Sequence, residues 1–138
     1  MRAVVDTNVI VSAFLWGGTP RHLLDAVQAQ HLELFTSRAL ITELEDVLMR
    51  EKFAVRLSRT RFSPAYLLAR YTQLATLIAP AEVVVPDLRD PKDIHVLACA
   101  LAARAEAIVS GDDDLQSLGS YQSIPILSPA GCLRQLKP

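Results

Sequence analysis

Apolar segments bounded by turn and cap residues alternate between two periodicities along the chain. Short runs rich in Val, Ile, Leu and Phe, which are typical of buried strands, occupy residues 2–5, 32–37, 82–86, 107–110 and 123–127. Segments with apolar side chains three or four positions apart, which are typical of helices, occupy residues 8–15, 19–30, 38–49, 63–78, 90–105, 112–118 and 128–136. Residues 50–61 form a basic connector that we expect to include a short helix.

A capping residue directly before a proline marks the start of several predicted helices. These pairs are Thr19-Pro20, Ser63-Pro64, Asp90-Pro91 and Ser128-Pro129. The capping oxygen can accept a hydrogen bond from an unpaired N–H of the first turn, and proline fits there because it has no N–H. Ser37 is a further expected cap. Alternating strands and helices predict an α/β fold, a three-layer α/β/α sandwich with a central, mainly parallel sheet.

The composition fits one globular domain spanning residues 1–138. Hydrophobic residues make up 51% of the chain and charged residues 21%, which is typical of a folded domain and not of a disordered one. No run approaches the length of about 18 apolar residues that a membrane span needs, so we expect no membrane segment. Cys99 and Cys132 are too few for a cysteine zinc site, and we expect buried, reduced thiols in a cytoplasmic protein.

Acidic residues follow several of the predicted strands. Asp6 follows the first strand, Asp112 follows the fourth, and Asp90 and Asp93 open the helix after the third. Because the carboxyl ends of parallel strands meet at one edge of a sheet, we expect these side chains to lie close together. Glu43 joins them if its helix leans over that edge.

Clustered carboxylates repel one another, by about 4 kcal/mol for a pair at 4 Å and an effective dielectric of 20. Bound protons or a cation can remove this cost. Oxygen ligands suit Mg²⁺ or Mn²⁺, whereas zinc favours Cys and His, and His22, His31 and His95 are scattered along the chain. The acids therefore predict a magnesium or manganese site.

Each of these acids also has an alternative structural role. Asp6, Asp90 and Asp112 could cap helices, and Glu43 could be an ordinary surface residue. Asp93 could simply interact with the dipole of its helix. Their joint placement at strand ends, and no single residue, indicates a functional site.

The net charge of −1 conceals an uneven distribution. Of 14 basic residues, 7 lie between residues 38 and 70, and of 15 acids, 8 lie between residues 82 and 114. The connector carries Arg50, Lys52, Arg56, Arg59 and Arg61. A basic middle could contact a phosphate backbone while the later acids hold a metal, and a solvated helix surface is the alternative.

Four motifs together resemble those of PIN-domain ribonucleases. They are "VVDTNVIVSA" from residue 4, "ELEDVL" from residue 43, "DPKDIHVLACALA" from residue 90 and "IVSGDDDL" from residue 108. The resemblance covers nearly the whole chain and is greatest to the single-domain, VapC-like toxins of type II toxin–antitoxin pairs. "SIPILSP", residues 123–129, is similar to the "GIPILSP" of one branch of that family.

The resemblance implies an acidic quartet that binds Mg²⁺ or Mn²⁺ and cleaves single-stranded RNA. By motif the quartet falls on Asp6, Glu43, Asp93 and Asp112, and Asp114 matches an additional acid that is often present. The quartet is complete, so the resemblance implies an active enzyme and not a non-catalytic relative.

Polar neighbours of the quartet also match the family. Asn8 matches the polar partner of the first acid, Ser12 matches a small polar position near the site, and Ser110 keeps the hydroxyl of a position where many members have Thr. Glu45 and Asp90 remain alternatives for the second and third acids.

The sequence also predicts which residues contact RNA and which partners the protein has, and it leaves two alternative functions open. The basic residues of the connector would bind the RNA backbone, and Trp16 or Phe53 could stack on bases, whereas Phe14 reads as a core residue. The resemblance also implies a small antitoxin protein and a homodimer. A non-catalytic PIN-like binding module is one alternative, and another is a haloacid-dehalogenase-type phosphatase, which would require an Asp where Asn8 stands.

Overall fold

The computed structural model describes residues 1–82 and 91–136. The strands are β1 (Arg2–Val5), β2 (Glu33–Thr36), β3 (Ala75–Leu77), β4 (Ala107–Val109), β5 (Ser120–Tyr121) and β6 (Ile124–Leu127). The helices are α1 (Thr7–Leu15), α2 (Thr19–Gln28), α3 (Arg38–Leu48), α4 (Glu51–Arg59), α5 (Pro64–Leu74), α6 (Pro91–Ala103), α7 (Asp113–Leu118) and α8 (Pro129–Leu136). Apart from Glu82, the predicted strand over residues 82–86 lies outside the described residues, and so does Asp90.

The described strands form a six-stranded sheet in the order β3-β2-β1-β4-β6-β5. Every neighbouring pair is parallel except β5 and β6, which are antiparallel. β1 lies between β2 and β4, and Val5 pairs with Val109. The strands β1, β2 and β4 therefore end side by side at Val5, Thr36 and Val109, along what we call the carboxyl edge.

Helices cover both faces of the sheet. Ala3 and Val5 of β1 pack into a core formed mainly with α1, α2, α3, α5 and α8. Val4, which points the other way, packs with residues of α6 and α7. This alternation along a central strand is what a sheet buried on both faces requires. The predicted three-layer α/β fold with a mainly parallel sheet is confirmed.

The predicted C-terminal boundary of the helix over residues 63–78 is wrong. Helix α5 ends at Leu74, and Ala75–Leu77 form β3, which pairs in parallel with β2. Two of the three β3 residues are exposed because this strand lies at the edge of the sheet, so it lacks the buried apolar run that identified other strands. No glycine or proline separates it from α5. β5 is a further strand that the pattern did not predict.

Most predicted caps are confirmed. Ser37, Ser63 and Ser128 each accept a hydrogen bond from a backbone N–H three residues later. Thr19 does not cap α2, because Gly18 occupies the cap position with φ 68°, a conformation that favours glycine, and the helix already includes Thr19.

Two further predictions concern the interior and membranes. Cys99 and Cys132 are buried and free, as expected, and burial raises the pKa of Cys99 to about 12. Within residues 1–82 and 91–136, no helix combines the length and apolar character needed to cross a bilayer.

Candidate functional site

Asp6 directly follows β1 at the carboxyl edge. Its N–H donates to the carbonyl of Val109 at 2.8 Å, and its carbonyl accepts from the N–H of Val9 at 3.0 Å. Its side chain makes no capping hydrogen bond to α1, so the capping alternative is wrong. Instead, Oδ2 accepts a hydrogen bond of 2.9 Å from the Ser110 hydroxyl. The carboxylate, 7% exposed, is held within the sheet edge.

Ser110 joins the ends of two neighbouring strands. Its hydroxyl, which is fully buried, donates to Asp6 and accepts from the backbone N–H of Asp112 at 2.9 Å. Asp112 in turn caps α7, because its Oδ1 accepts from the N–H of Leu115 at 3.0 Å. The predicted capping alternative is therefore confirmed for Asp112. A carboxylate has two oxygens, so one side chain can serve both a cap and a cation.

Three carboxylates lie close enough to share a cation. One oxygen each of Asp93, Asp112 and Asp114 lies within 4.8 Å of the others. Asp93 is buried in the first turn of α6, and Asp114 is exposed in the first turn of α7, so both lie near positive ends of helix dipoles. An all-carboxylate donor set fits Mg²⁺ or Mn²⁺ better than zinc. We call these three residues the acid group.

The predicted quartet is brought together only in part. Asp93 and Asp112 belong to the acid group, as does Asp114. Asp6 lies outside it and is connected to it through the buried serine hydroxyl. Glu43 also lies outside it. The quartet as a set of metal ligands therefore stays a prediction.

Glu43 lies near the carboxyl edge on α3. Tyr71 donates a hydrogen bond of 2.8 Å to the hydroxyl of Thr36, the last residue of β2. Burial raises the pKa of Tyr71 to about 12, and the Cys99 and Glu43 charges act in the same direction, while the bond to Thr36 opposes them. Glu43 is thus near Tyr71, whose hydroxyl contacts the last residue of β2, and is half-buried, whereas Glu45 is exposed. This favours Glu43 over Glu45.

A cavity of about 450 Å³ adjoins the acid group at Asp112. Asn8 and Ser12, one helical turn apart on α1, line one side, and Gly111 and Pro129 are among the other lining residues. The Asn8 amide and the Ser12 hydroxyl give this cavity hydrogen-bond donors and acceptors. Both predicted neighbours of the acids therefore border space that a ligand could occupy.

The basic connector forms α4, as expected. Its exposed cations are Arg50, Lys52, Arg59 and Arg61. Arg56 differs from them, because its Nε donates to the carbonyl of Leu15 at 2.7 Å and its guanidinium lies 5.6 Å from the Trp16 ring centroid. Sequence reasoning placed Arg56 among RNA-binding residues and missed this contact. No local sequence feature indicates this contact, because the partners are about 40 positions apart in the chain.

Residues 2–114 match the sequence model of the PIN domain. No curated protein matches the chain in sequence. Two solved structures are similar in fold. One is VapBC2 from Rickettsia felis bound to a DNA fragment from the promoter, with a TM-score of 0.62 and 13% identity, covering 93% of this chain and 98% of that chain. The other is VapBC-1 from nontypeable Haemophilus influenzae, with a TM-score of 0.59 and 12% identity, covering 94% and 99%.

The segment matched by the family model contains every acid of the predicted quartet and the complete acid group. The fold is similar to that of the two solved structures over nearly all of the chain. The chain therefore belongs to the PIN domain family.

Proposed function

We propose that this protein is a metal-dependent endoribonuclease that cleaves single-stranded RNA. The observation that carries the proposal is the acid group, in which three carboxylate oxygens lie within 4.8 Å of one another at the carboxyl edge. Such a group lowers the stability of the fold unless protons or a cation neutralise it. It is therefore better explained by metal-dependent chemistry than by a structural role.

The side chains of the edge have distinct roles in this proposal. Asp93, Asp112 and Asp114 would hold Mg²⁺ or Mn²⁺, with Asp6 and Glu43 completing the negative surroundings. The bound ion would supply positive charge beside the scissile phosphate and make a nearby water more acidic. The Ser110 hydroxyl fixes Asp6 relative to Asp112, and the burial of Asp6 and Asp93 keeps bulk water from their carboxylates.

The RNA would contact two further regions. Exposed cations of α4 would bind phosphates, which strengthens binding without selecting a sequence and makes it depend on salt. The cavity beside Asp112 would receive a nucleotide next to the cleaved bond, where the Asn8 amide and the Ser12 hydroxyl can contact its base or sugar.

A toxin role in a toxin–antitoxin pair is the biological setting that we infer. Support comes from the motifs that resemble VapC-like toxins and from the fold similarity to chains of two VapBC structures. The inference includes a small antitoxin partner, a homodimer and a cytoplasmic location.

The test is metal-dependent cleavage of a fluorescently labelled, mixed-sequence single-stranded RNA. The wild type should cleave it only with Mg²⁺ or Mn²⁺. Asp93→Asn should lower the rate by about 100-fold or more, since even the outer neighbours of a metal ligand are worth about 10- to 100-fold. Asp46→Asn is the matched control, because Asp46 is an exposed acid on α3 that belongs neither to the acid group nor to the lining of the cavity.

Calorimetric titration with Mn²⁺ provides a readout that does not depend on turnover. Binding by wild type and Asp46→Asn, with loss in Asp93→Asn, is the expected result. Absence of both Mn²⁺ binding and cleavage in the wild type would contradict the proposal and favour a non-catalytic PIN-like binding module. Equal cleavage by all three proteins would show that the activity belongs to a contaminant.

A further inference from the structure

Trp16 is held in a fixed orientation at the C-terminus of α1. It is the C-cap residue, 51% exposed, and the chain has 1 tryptophan. The ring of Phe53 on α4 meets the indole edge to face, with centroids 5.6 Å apart and an angle of 71° between the planes. The indole is thus in contact with α4 while about half of the side chain remains open to solvent.

Arg56 fixes the same indole from another direction. Its guanidinium lies 5.6 Å from the Trp16 ring centroid, and its Nε donates to the carbonyl of Leu15 at 2.7 Å. The second contact satisfies a carbonyl at the end of α1, which has no partner within the helix. Because the bond to Leu15 anchors the guanidinium, the cation–π contact restricts the ring as well. The exposed ring therefore loses little conformational entropy when it binds a ligand.

Two further cations lie beside residues that contact or follow this indole. Lys52 lies 5.0 Å from the ring centroid of Phe53. Arg21 runs beside Gly17, the residue that follows Trp16, with its side chain 3.8 Å from where a Cβ of Gly17 would be. Together with Arg56, these cations place positive charge near the ring, which complements a polyanion.

We propose that Trp16 stacks on an unpaired base of single-stranded RNA, with Lys52 and Arg21 binding the adjacent phosphates. The proposal rests on the proposed function and extends it to a base-stacking site beside α4. Aromatic side chains with cationic neighbours are the usual means of binding single strands without sequence preference. The 9 residues of α1 separate Trp16 from Asp6 by about 14 Å, so the stacked base lies some nucleotides away from the cleaved phosphate.

The first experiment uses Trp16 fluorescence, which reports on this site alone because no other tryptophan contributes. The wild-type protein is titrated with mixed-sequence single-stranded RNA in EDTA, which prevents metal-dependent cleavage, and in parallel with inorganic polyphosphate. Saturable quenching by RNA and no quenching by polyphosphate is the expected result. Equal quenching by both would overturn the proposal, since polyphosphate has charge and no bases.

The second experiment measures the affinity of labelled RNA for variants. Trp16→Ala should weaken binding by about 5- to 150-fold, which corresponds to the usual contribution of one stacked base, and Trp16→Phe should weaken it less. Leu77→Ala is the control, since Leu77 is an apolar side chain of similar exposure, 54%, on the edge strand β3. Unchanged affinity in Trp16→Ala would overturn the proposal and favour a protein partner for the indole.

If the ribonuclease proposal alone were wrong, the two experiments on Trp16 would give a different combination of results. Quenching and the loss in Trp16→Ala would persist while the wild type with Mn²⁺ left the RNA intact. Conversely, metal-dependent cleavage together with an unquenched indole and full affinity in Trp16→Ala would retain the nuclease and remove the stacking site.

Discussion

The carboxyl edge and the surface of α4 carry charges of opposite sign in opposite environments. Asp6 and Asp93 at the edge are 7% and 4% exposed, and each buried polar group there depends on particular partners. Lys52 and Arg59 on α4 are exposed to water, where a single charge costs little and gains little. Burial of charged groups at the edge therefore lowers the free energy of unfolding, whereas the exposed charges of α4 have almost no effect on it. Substitutions should therefore have large effects at the edge and small ones on the surface.

The largest expected effect is the stabilisation of the edge by metal. Mn²⁺ at about 100 times its Kd should raise the free energy of unfolding by about 2.7 kcal/mol, which for a domain of this size is a rise in Tm of about 10 °C. Asp112→Asn should lose most of this rise, although Asn still caps α7. Thermal scans with and without Mn²⁺ measure this rise, with Asp46→Asn as the control. An equal rise in both variants would contradict the assignment of the acid group.

Removal of the Ser110 hydroxyl should have the next largest effect. Ser110→Ala leaves the buried Asp6 carboxylate without one donor and should cost about 1 to 3 kcal/mol of stability. Cleavage should fall by about 10- to 100-fold, as for other neighbours of metal ligands. Urea unfolding and RNA cleavage are the measurements. Ser110→Thr retains the hydroxyl and should restore both, so a Thr variant as impaired as the Ala variant would argue against the hydrogen-bonding role.

Alkaline pH should lower the stability of the fold through the buried Tyr71 hydroxyl, and much less through exposed tyrosines. A tyrosine is neutral when protonated, so the pKa of Tyr71, raised from 10.0 to about 12, means that the folded state keeps a proton that the unfolded state releases. The associated stability is fully present below pH 10 and is lost as the pH rises towards 12. By pH 11 the loss should be on the order of 1 kcal/mol, and it should increase further towards pH 12.

Tyr71→Phe cannot ionise and should lessen this alkaline loss, as measured by urea midpoints at pH 8 and above pH 10. Burial also raises the pKa of Cys99 to about 12, so part of the loss should remain in the variant. Tyr66→Phe, which changes a tyrosine of 48% exposure, is the control. A Tyr71→Phe protein with the same pH dependence as the wild type would contradict the prediction.

The smallest effect is expected on α4. Arg56→Lys keeps the positive charge and loses the planar group that contacts both Leu15 and Trp16, so it should cost less than about 1 kcal/mol. Trp16 should also become more mobile, which a lower fluorescence anisotropy would report. Arg59→Lys, on the exposed face, should leave both quantities unchanged. A loss of several kcal/mol in Arg56→Lys would show that α4 is part of the stable core.

Most of the fold could be predicted because local pattern and tertiary position agree in its central strands. β1 coincides with the predicted strand over residues 2–5, and β6 lies within 123–127. β3 could not be predicted, because an exposed edge strand is defined by its partner β2 and not by its own residues. Hydrogen bonding to a neighbour carries no sequence signal of its own.

The sequence identified residues of the candidate site but not the hydrogen bonds and contacts between their side chains. Strand-end placement identified Asp6 and Asp112, since the sheet topology brings such ends together. Two features depend on side-chain directions, which spacing along the chain does not determine. The Ser110 hydroxyl forms hydrogen bonds with both Asp6 and Asp112, and Asp114 lies within the acid group. The contact of Arg56 with Trp16 depends on how α4 packs on α1, for the same reason.

The hydrogen bond between Ser110 and Asp6 joins residues 104 positions apart, and β1 likewise pairs with β4 near the other end of the chain. Ribosomes add about 5 to 20 residues per second, so about 5 to 20 s separate the synthesis of these two residues. During that interval the growing polypeptide has no assembled acidic edge. Under the proposed ribonuclease function, the growing polypeptide would spare its own messenger until residues 110–114 have been synthesised, and fragments that end before these residues would be inert.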